Sequence, residues 1–190
     1  MSTASQVVNL QSASEGKTTH RPRTAMNIAL WIMQALWGVF FCFTGFGKIM
    51  CYRPDVWNHT LHQPVPWFSA VPQYLFVFIG ISEFMGGVGL ILPAMTGVKP
   101  KLTPLAATGL TLVMILAALF HIVRSEYSFF LPLNLVLAAG AAFIAYGRLM
   151  VKPVAEASLN SYRLLAGLLV FAVLVLVGFI PIWYQTIRTH

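Results

Sequence analysis

The sequence predicts an all-α integral membrane protein: a four-helix bundle followed by an additional C-terminal transmembrane helix. Three observations carry this. Of the 190 residues, 58% are hydrophobic and 9% charged, against roughly 25% charged in an ordinary soluble domain. Mean hydropathy is +0.76, an apolar excess too large for a soluble core of this size to hide. The apolar residues also fall into runs close to the roughly 20 residues that a membrane-spanning helix needs.

The chain begins with a polar stretch over 1–25, rich in Ser and Thr and basic at His20, Arg21 and Arg23. Such a composition reads as a disordered cytoplasmic tail. The first apolar run, 27–47, is interrupted only by Gln34. It is too long for a signal-peptide core and lacks a small-residue cleavage site, so it reads as a retained helix. The second run, 74–92, carries Glu83, and Pro93 marks its end. The third, 102–123, carries His121. The fourth, 129–146, has Pro132 in its first turn and Asn134 beside it. The fifth, 164–184, has no ionisable residue and is apolar on all faces, which favours spanning over lying on the surface. The organisation is therefore a tail over 1–25, a four-helix core over 26–148, and a connection with the fifth span over 149–190. Between the first two spans, 48–73 forms a long loop with four prolines, two tryptophans and two histidines. Loops of that length often cap a site.

Lys and Arg outnumber Asp and Glu by 12 to 5. The cations stand singly between apolar runs, without a basic stripe or a recognisable motif, so nucleic acid is not the expected partner. They read as charges that orient the protein in a bilayer. Lys17, Arg21, Arg23, Lys99, Lys101, Arg148, Lys152 and Arg163 fall on one side, and Lys48, Arg53, Arg124 and Arg188 on the other. The richer side is expected to be cytoplasmic. This gives a multi-pass protein of the cell membrane with the N-terminus inside, the C-terminus outside and the long loop outside.

Several chemistries lack their signatures. The sequence has no Gly-rich phosphate loop, G-x-S-x-G, C-x-x-C or H-E-x-x-H. Cys42 and Cys51 do not have metal-site spacing and read as unpaired thiols. His59 and His62 lack a third ligand, so no metal is expected. Haem ligation generally needs facing histidines, and only His121 lies within a span.

An ionisable side chain inside a membrane helix costs roughly 2.5–3.5 kcal/mol on insertion scales and generally faces the bundle interior. Glu83 lies nine residues past Tyr74, about 14 Å down the helix at 1.5 Å per residue. Gly80 and Gly87 share its face, so it points into a seam where helices approach closely. Lys48 and His121 end outward-running helices and Asn134 begins an inward-running one, so all three lie in the outer half, above Glu83. Together they predict a polar pocket in the outer half, floored by Glu83. Lys48, Glu83 and His121 are its candidate catalytic residues. Asn134 is a candidate substrate contact, and Trp37, Phe40, Phe41, Phe76 and Phe120 are candidate lining aromatics. The bland alternatives stay open: Glu83 paired with Lys48 only to fix packing, and aromatics that merely pack.

Three segments carry a resemblance: GVFFCFTGFGKIM at 38–50, FIGISEFMGGVGLILPAM at 78–95 and LTPLAATGLTLVMILAALFHIVRSE at 102–126. Over about residues 27–147 the chain resembles the DoxX-like family of small bacterial integral membrane proteins. The lysine that ends the first helix, the glutamate among glycines and the histidine before a basic, acidic turn match together, at Lys48, Glu83 and His121. The resemblance implies a four-helix membrane core in the bacterial inner membrane. Relatives include a small subunit of thiosulfate:quinone oxidoreductase, a member of a mycobacterial oxidative-stress complex and eukaryotic receptor-assembly factors. It therefore implies a membrane component of a redox or quinone-linked system with a partner subunit, an oxidoreductase setting in which quinone is the candidate cofactor. Two alternatives stand beside this. One is a stand-alone isomerase or cyclase acting on a lipophilic small molecule, with a protonated Glu83 as general acid. The other is a non-catalytic assembly or scaffold protein.

Overall fold

The computed structural model describes residues 20–65, 67–151 and 153–154. The expected fifth span over 164–184 lies outside the described residues, as does most of the expected tail. Four long helices carry the fold: α1 (His20–Met50), α3 (Gln73–Thr96), α4 (Leu102–Val123) and α5 (Phe130–Tyr146). α5 continues as a π-helical turn over Gly147–Val151. Each span is long and apolar enough to cross a membrane. Together they form an all-α bundle of an integral, multi-pass membrane protein.

Three elements differ from the expectation. α1 starts at His20, so the helix reaches back into the stretch read as tail. Pro93 does not end the second span. α3 runs through it to Thr96 and stops at Gly97, whose φ of 71° is left-handed and whose N–H donates to the Pro93 carbonyl. Glycine takes that conformation without a Cβ penalty, and membrane helices tolerate internal proline when neighbours re-satisfy the freed backbone. The long loop is also partly helical. It contains α2 (Pro54–Leu61), opened by proline in its first turn, and a 3-10 turn at Phe68–Ala70.

The chain runs up, down, up and down through the four long helices. α1 packs on α3 and α4 on α5, and the two pairs meet through α3 and α4. The α1–α3 seam is closed along its length by glycine. A Cβ on Gly45 would lie 2.5 Å from the Phe84 amide nitrogen, and one on Gly87 would lie 2.7 Å from the Gly38 carbonyl. Backbone meets backbone here, and only glycine allows it.

The α3–α4 seam is tight in one half only, where Gly86 faces Leu110 and Gly89 faces Ala106. In that same half Trp37 lies over Gly140 and Leu30 over Gly147, joining α1 to α5. The core there is built on Phe41, Leu90, Ala107, Leu110, Ala141 and Ile144. Towards the other end, where the 48–73 loop lies, the two pairs part. A second apolar cluster of Cys51, Val71 and Phe76, packed by Trp57, Trp67 and Phe68, fastens the loop over that end. Cys42 and Cys51 are buried and not joined to each other.

Two cations counted above as loop charges are inside the bundle. Lys48 lies in the α1–α3 seam. Arg148 is 4% exposed at the end opposite the loop, donating to Gln34 at 2.6 Å and to Asn27 at 3.0 Å, with its guanidinium 4.9 Å from the Trp31 ring. Gln34 in turn donates to the Leu90 carbonyl at 2.8 Å. A buried arginine is kept where its donors find acceptors, and Gln34 and Asn27, both on α1, supply them.

Candidate functional site

Glu83 sits near the middle of α3, its side chain 4% exposed. Its Oε2 accepts from Lys48 Nζ at 2.6 Å and from the Thr44 hydroxyl at 3.1 Å. Gly80 explains how Lys48 reaches it. A Cβ on Gly80 would lie 2.6 Å from the Lys48 Cβ and 2.7 Å from the Gly45 carbonyl. The missing side chain lets Lys48 cross one turn above Glu83. Thr44 is four residues before Lys48 and so shares its helical face. Both donors meet the same carboxylate oxygen.

His121 occupies the last turn of α4, 4% exposed. Its Nδ1 lies 2.8 Å from Glu126 Oε2, and Arg124 Nε donates to Glu126 Oε1 at 2.8 Å. The turn folds back because Ser125 takes a φ of 57°, and the Glu126 amide donates to the His121 carbonyl at 2.9 Å. Burial pushes the Glu126 carboxyl up, but the hydrogen bonds and charges of His121 and Arg124 outweigh it and hold it below its ordinary value. The His121 ring stacks on Phe130 with centroids 5.5 Å apart and takes the Trp67 ring edge-on at 6.1 Å. Such pairs fix ring orientation.

Where the helix pairs part, they enclose a cavity of about 490 Å³. Lys48, Glu83, His121 and Asn134 all line it, with Thr44 and Ser82. Of the expected aromatics, Phe40, Phe41 and Phe120 line it as well. Trp37 does not. Its indole N–H donates to the Leu137 carbonyl at 2.9 Å and its ring covers Gly140, so it closes the α1–α5 contact beneath the cavity. Phe76 belongs to the loop cluster instead. Trp67, Ala70 and Val71 cover the loop end of the cavity. Phe78 on α3 and Leu116 on α4 form part of its wall while remaining 63% and 57% exposed on the outside of the bundle. The cavity thus reaches the lateral surface of the bundle between α3 and α4.

His59 in α2 and His62 just past its end are bonded locally, to Gln63 and to the Asn58 carbonyl. The sequence reading missed the role of Thr44, of Glu126 as the partner of His121, and of Trp67 as a cavity wall. The i, i+4 spacing to Lys48 was the available signal for Thr44. The Glu126 contact crosses a helix end, and the Trp67 contact depends on how the loop folds, so neither follows from periodicity.

No curated protein and no solved structure shows significant similarity to the chain. The DoxX-like family matches over residues 32–144, more than half of the chain. That stretch holds the glycine-packed α1–α3 seam, the Lys48–Glu83 pair and His121. The chain belongs to the DoxX-like family.

Proposed function

We propose that this protein binds a lipid-soluble carrier of the quinone type in the cavity between its helix pairs, as the membrane component of a quinone-linked redox system. The observation that carries this reading is one cavity with two chemistries. Its polar side gathers Lys48, Glu83, His121 and Asn134 with Thr44 and Ser82, and its other side is apolar and reaches the outside of the bundle at Phe78 and Leu116. A quinone head group accepts hydrogen bonds and has no strong donor. Lys48 carries three donor hydrogens, and its bond to Glu83 leaves others for a carbonyl. The tail would leave sideways between α3 and α4 into lipid. The volume of about 490 Å³ lies within the range of about 300–1,000 Å³ typical of small-molecule sites. Under this reading the electron-carrying group belongs to a partner subunit.

The same reading places the loop end outward at the cell membrane. With Lys48 and Arg148 removed from the charge count, because both are inside the bundle, seven cations oppose three.

A scaffold role is the second reading, favoured by the closeness of the α1–α3 seam, in which the Lys48–Glu83 pair would act as a staple. Binding separates the two. A short-tailed quinone added to the protein in lipid nanodiscs is expected to quench tryptophan fluorescence saturably, with the largest share lost in Trp67→Phe, whose ring lines the cavity. Quenching that rises linearly, as in empty nanodiscs, would rule the quinone reading out.

A further inference from the structure

We propose that His121 and Glu126 form the proton port of the cavity, joining a bound head group to water at the loop end, with Arg124 as a positioning residue. The inference rests on the quinone-type reading above and deepens it. His121 faces two environments. It lines the cavity, and its Nδ1 is held 2.8 Å from Glu126, whose side chain is 18% exposed. Because a carboxylate only accepts, the Nδ1 nitrogen carries the hydrogen in the neutral ring, which leaves Nε2 as the acceptor. Arg124 holds the second oxygen of Glu126 and fixes which oxygen meets the ring. Phe130 and Trp67 hold the ring plane. The geometry is that of an oriented imidazole with its base on one side and an enclosed space on the other.

The step balances without any oxidant or reductant. His121 takes a proton at Nε2 from a hydroxyl of the bound head group, which the reduced form of a quinone or a hydroxyl-bearing quinone carries. The O–H bond breaks, an N–H bond forms, and the electron pair stays on the ligand oxygen. Glu126 takes the proton from Nδ1 and passes it to water, and tautomer exchange returns the remaining hydrogen to Nδ1. Other charged groups near this path are Lys48 on α1 and Glu83 on α3, both at the cavity, and Arg124 in the turn. α5 and the 67–71 segment bring no charged side chain to the cavity, and face this path with Phe130, Asn134 and Trp67.

The test uses a 6-hydroxy-1,4-naphthoquinone with a short alkyl tail, a phenol that titrates above the carboxylate range and whose anion is coloured, and the same compound without the hydroxyl. Both are titrated into the full chain in nanodiscs. The midpoint of the pH-dependent colour of the bound probe is expected to lie below its midpoint in empty nanodiscs, because the imidazolium formed at His121, held by Glu126, stabilises the probe anion. Glu126→Gln is expected to raise that midpoint by about one unit, the size of shift that loss of a close counter-charge produces. Glu126→Asp keeps it low, and the hydroxyl-free quinone binds all three proteins alike. Lys48 is common to all three, so its charge cancels in the comparison. An identical midpoint in Glu126→Gln and the wild type overturns the port and leaves the quinone reading standing. Failure of both compounds to bind the wild type overturns the reading and the port with it. A measurement free of variants accompanies these: the 15N shifts of His121 in the unliganded protein. Hydrogen on Nδ1 is expected in the neutral ring, and hydrogen on Nε2 overturns the port.

Discussion

Lys48 and Glu83 are 35 positions apart in sequence, and a glycine brings them together. Glu83 was legible as a buried acid because lipid penalises a charge that faces it. Its partner was not fixed by that argument, since any cation at the same end could have served. The Gly45 and Gly80 backbone approach selects Lys48. Lys48 is 18% exposed and can extend its stem towards the loop end. Glu83→Gln is therefore expected to leave the bundle folded while weakening quinone binding at least tenfold, because the carboxylate holds Lys48 where it meets the ligand carbonyl and hydrogen bonds to charged groups contribute about 1.5–3 kcal/mol. Circular dichroism and the quenching titration report the two halves separately. Glu126 gives a prediction in pH. Its folded value lies below the ordinary 4.5, so its carboxylate supports the 124–129 turn at neutral pH and that support is lost as pH falls below 4.5 through the folded value. Amide exchange in this turn, corrected for intrinsic rates, is expected to stay constant above that range and to accelerate below it. Exchange that is flat through the acid range would remove Glu126 from the account.

At the scale of elements, the four spans were legible because run length and hydropathy report directly on the solvent. The glycines inside them were legible only as a tendency. The structure divides them into kinds. A Cβ on Gly45 would meet the Phe84 nitrogen and the Gly80 carbonyl, backbone atoms that cannot rotate away, whereas nothing lies within 4 Å of one on Gly109. Gly45→Ala is expected to cost about 1–3 kcal/mol through overpacking, despite the better helix propensity of alanine. Gly109→Ala is expected to be neutral or stabilising by up to about 1 kcal/mol. Thermal denaturation in one detergent measures both, and equal midpoints would contradict the close α1–α3 seam. Arg148 shows where run-reading stops. A cation near a helix end looks like a loop charge, and only the packing of α5 on α1 reveals that it is held by Gln34 and Asn27.

For the whole molecule, the cavity exists because the two helix pairs are joined at one end and part at the other. Small residues at Gly86, Gly89 and Gly140 close one half, while aromatic and long aliphatic side chains such as Phe40, Phe120 and Leu133 hold the other open. The polar residues of the site could be assigned to one end from topology alone, because alternating spans fix which helix termini share a side. The lateral reach of the cavity could not, because it depends on where two seams diverge. Orientation is tested from outside the cell. A cysteine at His59, exposed on α2, is expected to react with a membrane-impermeant maleimide in intact cells, while the buried Cys42 and Cys51 give little background. Labelling only after lysis would reverse the orientation.

The quinone reading requires that the Lys48–Glu83 pair serve a ligand and not merely hold helices together. Replacing both charges together with apolar residues of similar volume is often tolerated where a pair is only structural. The decisive measurement is the quinone affinity of the double variant Lys48→Met, Glu83→Met in nanodiscs, alongside its melting temperature. A folded bundle whose affinity falls at least tenfold is expected; a folded double variant that binds as tightly as the wild type would mean that the pair only holds helices together.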